Sequence, residues 1–201
     1  MLARRVAAGG LVVLAGIAAL RSNPDGDYAQ VVVAEHDLRP GAALTAADVR
    51  LEKRLASTVP DGARTDVDSV VDSTLAGPTR RGEVLTDVRL LGARLAEAAI
   101  GSKAGSGARI VPLHLADGAL IDLVRVGDVV DVLAAPATGS PETAHAAPKV
   151  VATDAVVVLV SAKEKLQAAD SDRVVLVALP AHVANTVAGS ALGQAVTLTL
   201  H

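Results

Sequence analysis

The sequence has no cysteine, phenylalanine or tryptophan, one methionine and one tyrosine, Tyr28. Without cysteine there are no disulfides and no thiol chemistry, although this alone does not fix a compartment. Without large aromatics the core must be aliphatic, and 51% of the 201 residues are hydrophobic, mostly Ala, Val and Leu. Polysaccharide sites and binding hot spots draw much of their energy from aromatic rings. Carbohydrate binding is therefore disfavoured. Catalytic signatures are also missing. There is no Gly-x-Ser-x-Gly elbow, no His-Glu-x-x-His and no phosphate-binding loop, and Gly105-Ser106-Gly107 fails the dinucleotide fingerprint. His36, His114, His145, His182 and His201 are scattered, with no pair at metal-ligand spacing. Asp122, Asp128 and Asp131 form the densest acidic group, but their spacing matches no calcium loop. No cofactor and no catalytic set is expected.

What is present is a repeat. Arg39-Pro40-Gly41-Ala42-Ala43-Leu44-Thr45 is followed by Asp48-Val49-Arg50-Leu51, and Arg80-Arg81-Gly82-Glu83-Val84-Leu85-Thr86 by Asp87-Val88-Arg89-Leu90. Both copies read Arg-x-Gly-x-x-Leu-Thr and then Asp-Val-Arg-Leu, the first with two extra residues. A Gly at the third position permits a tight turn with positive φ. Two copies at this spacing predict one small unit with pseudo-two-fold symmetry. Gly41 and Gly82 should occupy equivalent turns, and Leu44 and Leu85 should both be buried.

Ahead of the repeat, Arg4-Arg5 precede the uncharged run Val6–Leu20, and Arg21 follows it. Fifteen residues as a helix span ~22 Å, short of a ~30 Å hydrocarbon core. Residues 1–21 read as a membrane anchor or a signal segment. The anchor is favoured, because no polar stretch precedes a cleavage site near Ala19, and the flanking arginines can snorkel. Positive charge at the start places the N-terminus in the cytoplasm and the bulk of a single-pass protein outside the cell membrane. Without Arg4, Arg5 and Arg21 the 19 basic residues fall to 16 against 22 acidic ones, a balance of −6. That argues against nucleic acid and against an anionic lipid surface as partners.

Residues 22–29 form a turn-rich linker. Residues 30–91 carry the repeat, with strands expected at about 31–34, 50–55, 74–77 and 88–91, a turn at 59–62 and a helical turn at 66–72. Residues 92–108, Ala-rich and then Gly-rich, read as a second linker. In residues 109–201, the alternation of Val111, Leu113 and Leu115 predicts a strand. Gly127-Asp128 makes a turn feeding a second strand, and residues 150–160 form a long third one, bent near Asp154. A strand at 174–179, a helix over 180–192 with Pro near its start and Gly193 just after its end, and a last strand at 195–200 complete the chain. The fold class is mainly β with short helices, the second unit being a small β-rich α+β domain.

Residues 30–91, with Val31-Val32-Val33-Ala34 ahead of the first copy and Gly77-Pro78-Thr79-Arg80-Arg81-Gly82-Glu83 in the second, resemble a SAF domain. That family is named for antifreeze proteins, flagellar P-ring chaperones and sialic-acid synthases, and the resemblance implies a compact β-clip of two related halves. The family usually has Gly-Arg where this chain has Asp72-Ser73, so no role for that Arg carries over. Val111-Pro112-Leu113, Gly127-Asp128-x-Val130-Asp131-Val132 and Val174–Pro180 leading into an Ala-rich helix resemble the CpaB/RcpC-type Flp pilus assembly proteins. Those place a membrane segment, a SAF domain and such a C-terminal region in this order, with Pro where this chain has Val126. The resemblance implies a non-catalytic accessory protein for Flp/Tad-type pilus assembly that binds other pilus or secretion assembly proteins. Alternatives are a cell-wall or subunit chaperone similar to the flagellar P-ring family, and a sugar-acid enzyme or its lid. Arg39, Arg80, Arg81 and Arg125 each precede a turn Gly and are the candidates for lining an anion-binding groove, against a reading as solvated turn residues. Gly41, Gly82, Gly127 and Asp128 are the structural turn residues.

The anchor reading has a direct consequence. Protein from the native host should carry its Met1 or Leu2 terminus and sit in the membrane fraction. Mass spectrometry finding a mature start near Ala19 in soluble exported protein would overturn it.

Overall fold

The structure is a computed structural model. It describes residues 16–17, 27–105, 107–136, 147–161 and 173–201. Most of the expected anchor, most of the first linker, residues 137–146 with His145, and residues 162–172 lie outside the described residues.

The first unit contains one regular ladder. β1 (Tyr28–Ala34) and β2 (Val49–Leu55) pair antiparallel from Tyr28↔Leu55 to Ala34↔Val49. Val31 to Ala34 are fully buried, in keeping with an uninterrupted apolar run of β-branched residues. Around this ladder the two repeat copies exchange main-chain bonds reciprocally. The N–H of Gly41 donates to the Leu75 carbonyl and that of Gly82 to the Ala34 carbonyl, both at 2.8 Å. Leu44 donates to Ser73 and Leu85 to Val32, while Ala34 donates to Glu83 and Leu75 to Ala42. Leu38 and Thr79 bond each other in both directions, so the pseudo-two-fold axis passes between them. Each of these pairs maps onto its mate when every residue of the first copy is matched with the one 41 positions later, Gly41 with Gly82 and Leu44 with Leu85.

The same spacing holds further along. Asp48 N–H bonds Thr45 and Arg89 N–H bonds Thr86; Ala34↔Val49 corresponds to Leu75↔Leu90. The structural repeat therefore has no inserted residues. The two Asp-Val-Arg-Leu strings are out of register, since Asp48 matches Arg89 and Val49 matches Leu90. Two further expectations are corrected. Residues 74–77 form bridges only at Thr74 and Leu75, and residues 88–91 only at Leu90 after a 3-10 turn at Asp87–Arg89. With pairing shared out between the copies, no second ladder grows long enough to be a strand. Residues 66–72 do form turns, ending at Asp72 with φ 63, a left-handed conformation that Asp tolerates and Gly adopts without penalty. That is the position where the SAF resemblance has Gly. Val32, Leu44, Val49, Val70, Leu75, Leu85 and Leu90 make the core.

Residues 93–100 are not a linker. They form α1 (Ala93–Ile100), because Leu95, Ala96, Ala99 and Ile100 fall on one helical face in a run of good helix formers. The second unit is one antiparallel sheet of β3 (Ala108–Leu113), β4 (Val129–Ala134), β5 (Lys149–Val160), β6 (Val175–Pro180) and β7 (Val196–Leu200), in the order β3-β6-β5-β4-β7. α1 covers one face, where Ala96 and Ile100 meet Ala108, Val158 and Ala178. α2 (Ala181–Gly193) covers the other, where Ala184 and Val187 meet Val111, Leu113, Val157, Val177 and Leu179. β5 and β6 are thus sandwiched between helices, which explains their unbroken Val runs. β5 bulges at Thr153–Asp154, where the register against β4 slips and Asp154 takes φ 56. The main-chain N–H of Asp154 donates to Asp131 Oδ1 at 3.0 Å.

The reciprocity of the first unit predicts matched energetics. Leu44→Ala and Leu85→Ala, at 2% and 0% exposure, should each cost about 2–5 kcal/mol in urea unfolding of the whole chain. A loss under ~1 kcal/mol at either site would mean the two halves do not share the core equally.

Candidate partner-binding surfaces

Three turns of the form Arg-x-Gly shape the surface. At Arg80–Glu83 the Glu83 N–H donates to the Arg80 carbonyl at 3.0 Å and Gly82 has φ 77; at Arg125–Asp128 the Asp128 N–H donates to Arg125 at 3.1 Å and Gly127 has φ 97. These are turns whose third residue needs the left-handed region, so glycine is required there. In both, the fourth residue is an acid that accepts the N–H of the first: Arg80 N–H to Glu83 Oε2 at 3.0 Å, and Arg125 N–H to Asp128 Oδ2 at 2.7 Å. Val126 occupies the second position, where Pro would be preferred. The first repeat copy has Pro40 in that place, Gly41 at φ 81, and Ala42 instead of the acid.

The candidate arginines divide. Arg39 and Arg80 line a cleft of about 360 Å³ with Asp37, Pro40, Pro78 and Thr79. Asp37 clamps the second copy's turn, accepting from Arg80 Nη1 at 2.5 Å and from the Arg81 N–H at 3.0 Å. These two hydrogen bonds hold the Asp37 carboxyl below the ordinary value of 3.8, the Arg81 N–H being the stronger cause. The Arg39 side chain has no hydrogen-bond or ion-pair partner among the described residues. Arg125 does not join this cleft. It sits on the second unit and turns its guanidinium back onto the carbonyls of Asp122 at 2.7 Å and Val124 at 3.1 Å. The expected four-arginine groove is therefore at most the pair Arg39 and Arg80 with the backbone of Arg81.

Of the histidines, His36 bonds Asp48 at 3.1 Å and His201 bonds Asp131 at 3.0 Å, while His114 and His182 are exposed. Asp131 ties His201 to the β5 bulge. These bonds, His201 first, lower its pKa. Among the described residues no three His, Asp or Glu side chains are placed to hold a metal ion. No helix among them is long and apolar enough to cross a membrane.

Sequence reasoning missed a groove between the two units. It is about 370 Å³ in volume, and Gly77, Val88, Leu95, Ala99, Val126 and Val157 are among its walls. No periodicity announces it, because its wall comes from five separate segments.

The sheet edges form the other surface, and they differ. The bond from Ala181 N–H to the Gly107 carbonyl sets the phase of β3 against β6, so Ala108, Ile110 and Pro112 face outward. Pro112 has no N–H to offer at that edge. On β7 the bonds Ala135 N–H to Ala195 and His201 N–H to Val129 turn Val196, Leu198 and Leu200 outward. The Val196 carbonyl is taken by Ala116 N–H at 2.8 Å. Among the described residues the main-chain groups of Leu198 and Leu200 have no partner and form an open edge, and the Leu200 side chain is 47% exposed.

Residues 29–91 match the family described as SAF domain. The first unit thus carries a SAF domain, and the match ends where α1 begins. No curated protein matches the chain. Among solved structures, the flagellar protein FlgA from Thermotoga maritima is similar at 25% identity and a TM-score of 0.32; the alignment covers 44% of this chain and 31% of that one, so the chain spans about a third of that protein's length.

The Asp37 clamp predicts a pH-dependent stability gap. Asp37→Asn should melt below wild type at neutral pH. Because the folded pKa is depressed, the gap is full above the unfolded value of 3.8 and disappears as pH falls through the lower folded value. Circular dichroism melts across that range check it, and a gap that persisted at the acid end would assign the loss to something other than the carboxylate.

Proposed function

We propose that the protein is a non-catalytic, membrane-tethered extracytoplasmic accessory protein of Flp/Tad-type pilus assembly, similar to the CpaB/RcpC proteins, working by binding other assembly proteins. The SAF domain and the order of segments along the chain support the class. The observation that carries the binding mode is the asymmetry of the five-stranded sheet. One outer strand is blunted by Pro112, and the other presents Leu198 and Leu200 with backbone groups that no other described residue claims. An extended segment of a partner adds to such an edge through main-chain bonds, which need no aromatic hot spot. The exposed Leu200 side chain supplies an apolar contact for it.

Leu200→Pro removes an outward N–H while sparing the β4 ladder. Capture of native envelope proteins by the immobilised chain, read by mass spectrometry, should recover secretion and pilin-assembly components. The substitution should weaken that capture roughly fivefold to tenfold. Normal capture by a folded Leu200→Pro chain would refute the edge. Turnover of a sugar acid or a peptide by the purified chain would refute the non-catalytic reading.

A further inference from the structure

Tyr28, the chain's only aromatic residue, is the first residue of β1 and is 57% exposed. It lies directly opposite Leu55, which is 43% exposed. Two residues along, Gln30 pairs with Lys53, and two further on Val32 pairs with Leu51, itself 44% exposed. Side chains alternate along a strand, so Tyr28, Leu51, Lys53 and Leu55 share one face of the hairpin. The opposite face of β2 is already committed: Arg50 bonds Glu35 and Glu52, and Arg54 bonds Glu52 and the Gly82 carbonyl. What is left outward is a Tyr and two Leu, with the polar pair Gln30 and Lys53 among them.

The place of this face in the chain gives it an occupant. Seven residues, 21–27, separate the uncharged run Val6–Leu20 from Tyr28. Even fully extended they reach only ~25 Å. A bilayer holding that run keeps the start of β1 within this distance of its surface. Tyr is favoured at the headgroup level, where its ring meets acyl chain and its hydroxyl meets water, and a Lys stem can lie along the same boundary.

We propose that the Tyr28–Leu55 end of the β1–β2 hairpin docks on the lipid interface, with Tyr28 as its anchor and Leu51 and Leu55 beside it. The inference rests on the membrane-tethered reading given above. The docking fixes how the SAF unit stands on the membrane, which a seven-residue tether alone leaves free. With a single outward Lys and an acidic chain, the docking is apolar in origin and needs no anionic lipid.

The sequence makes the test simple, because without tryptophan all intrinsic fluorescence is from Tyr28. The full chain is reconstituted into phosphatidylcholine vesicles carrying lipids spin-labelled near the headgroup. Roughly twofold loss of tyrosine emission is expected, unchanged at high salt, because no ionic attraction is involved. The double variant Leu51→Asp/Leu55→Asp should float with the vesicles as wild type does yet lose most of the quenching. Flotation without quenching overturns the docking and leaves the anchor standing; failure to float overturns the anchor, and the docking with it. Quenching that survives in the double variant assigns the proximity to the tether alone, against the proposal. Cross-links between copies through Tyr28 or Leu55 would make the face a contact between chains and also count against it.

Discussion

The first unit is held by an exchange of main-chain hydrogen bonds across a pseudo-two-fold axis. Gly41 reaches Leu75 while Gly82 reaches Ala34, and Leu38 and Thr79 close on each other at the axis. Neither half can satisfy its turn glycine by itself, since the N–H of Gly41 and that of Gly82 each find their carbonyl in the other copy. Backbone groups shut away from water must be paired, so each half can form only with the other present. The left-handed glycines are the hinge of this arrangement, since a Cβ there would strain the turn that aims the N–H across the axis. Leu44 and Leu85 then enter a shared core from opposite sides. The Asp37 clamp adds a side-chain tie on one side only, because its mate in the second copy is Pro78.

The motif at the turns was readable from sequence because the chemistry that demands Gly, Leu and Thr acts locally. The Asp-Val-Arg-Leu strings misled for the opposite reason. They match as letters, whereas equivalence is set by which carbonyl each N–H finds, and this pairs Asp48 with Arg89. Residues 74–77 and 88–91 looked like strands because they hold buried apolar residues such as Leu75 and Leu90. Burial alone does not make a ladder when the partner strand is divided between two copies. In the second unit the long Val runs of β5 and β6 and the Pro180-started helix were legible, as period and punctuation usually are. The bend expected near Asp154 coincides with the bulge there, but the role of Asp131 in capping it is a long-range contact that no spacing reveals.

Reading residues 92–108 as a linker hid how the units are joined. Alanine and glycine in one stretch suggested flexibility, yet the Ala-rich part is α1, with Ala96 and Ile100 buried against the sheet. α1 starts two residues after Leu91 leaves the first unit, and Arg94 reaches back to Asp87 at 3.2 Å and across to Glu97 at 2.9 Å. One short helix thus serves as a layer of the second unit and as the arm that carries the first. The groove lined by Val88, Leu95 and Val126 is the space left under that arm.

Pro112 sets an arithmetic for assembly. A sheet with two receptive borders is a monomer for a fibre, since every addition exposes a fresh border. In the described sheet the β3 border is blunted by an imide nitrogen, so an addition at Leu198–Leu200 finds a donor row that the β3 border breaks at Pro112. Two copies meeting there would cover each other's more receptive border, and a foreign segment would take the same place. A chain with many sheet-forming valines thus carries, in one residue, a bias against additions at its second border.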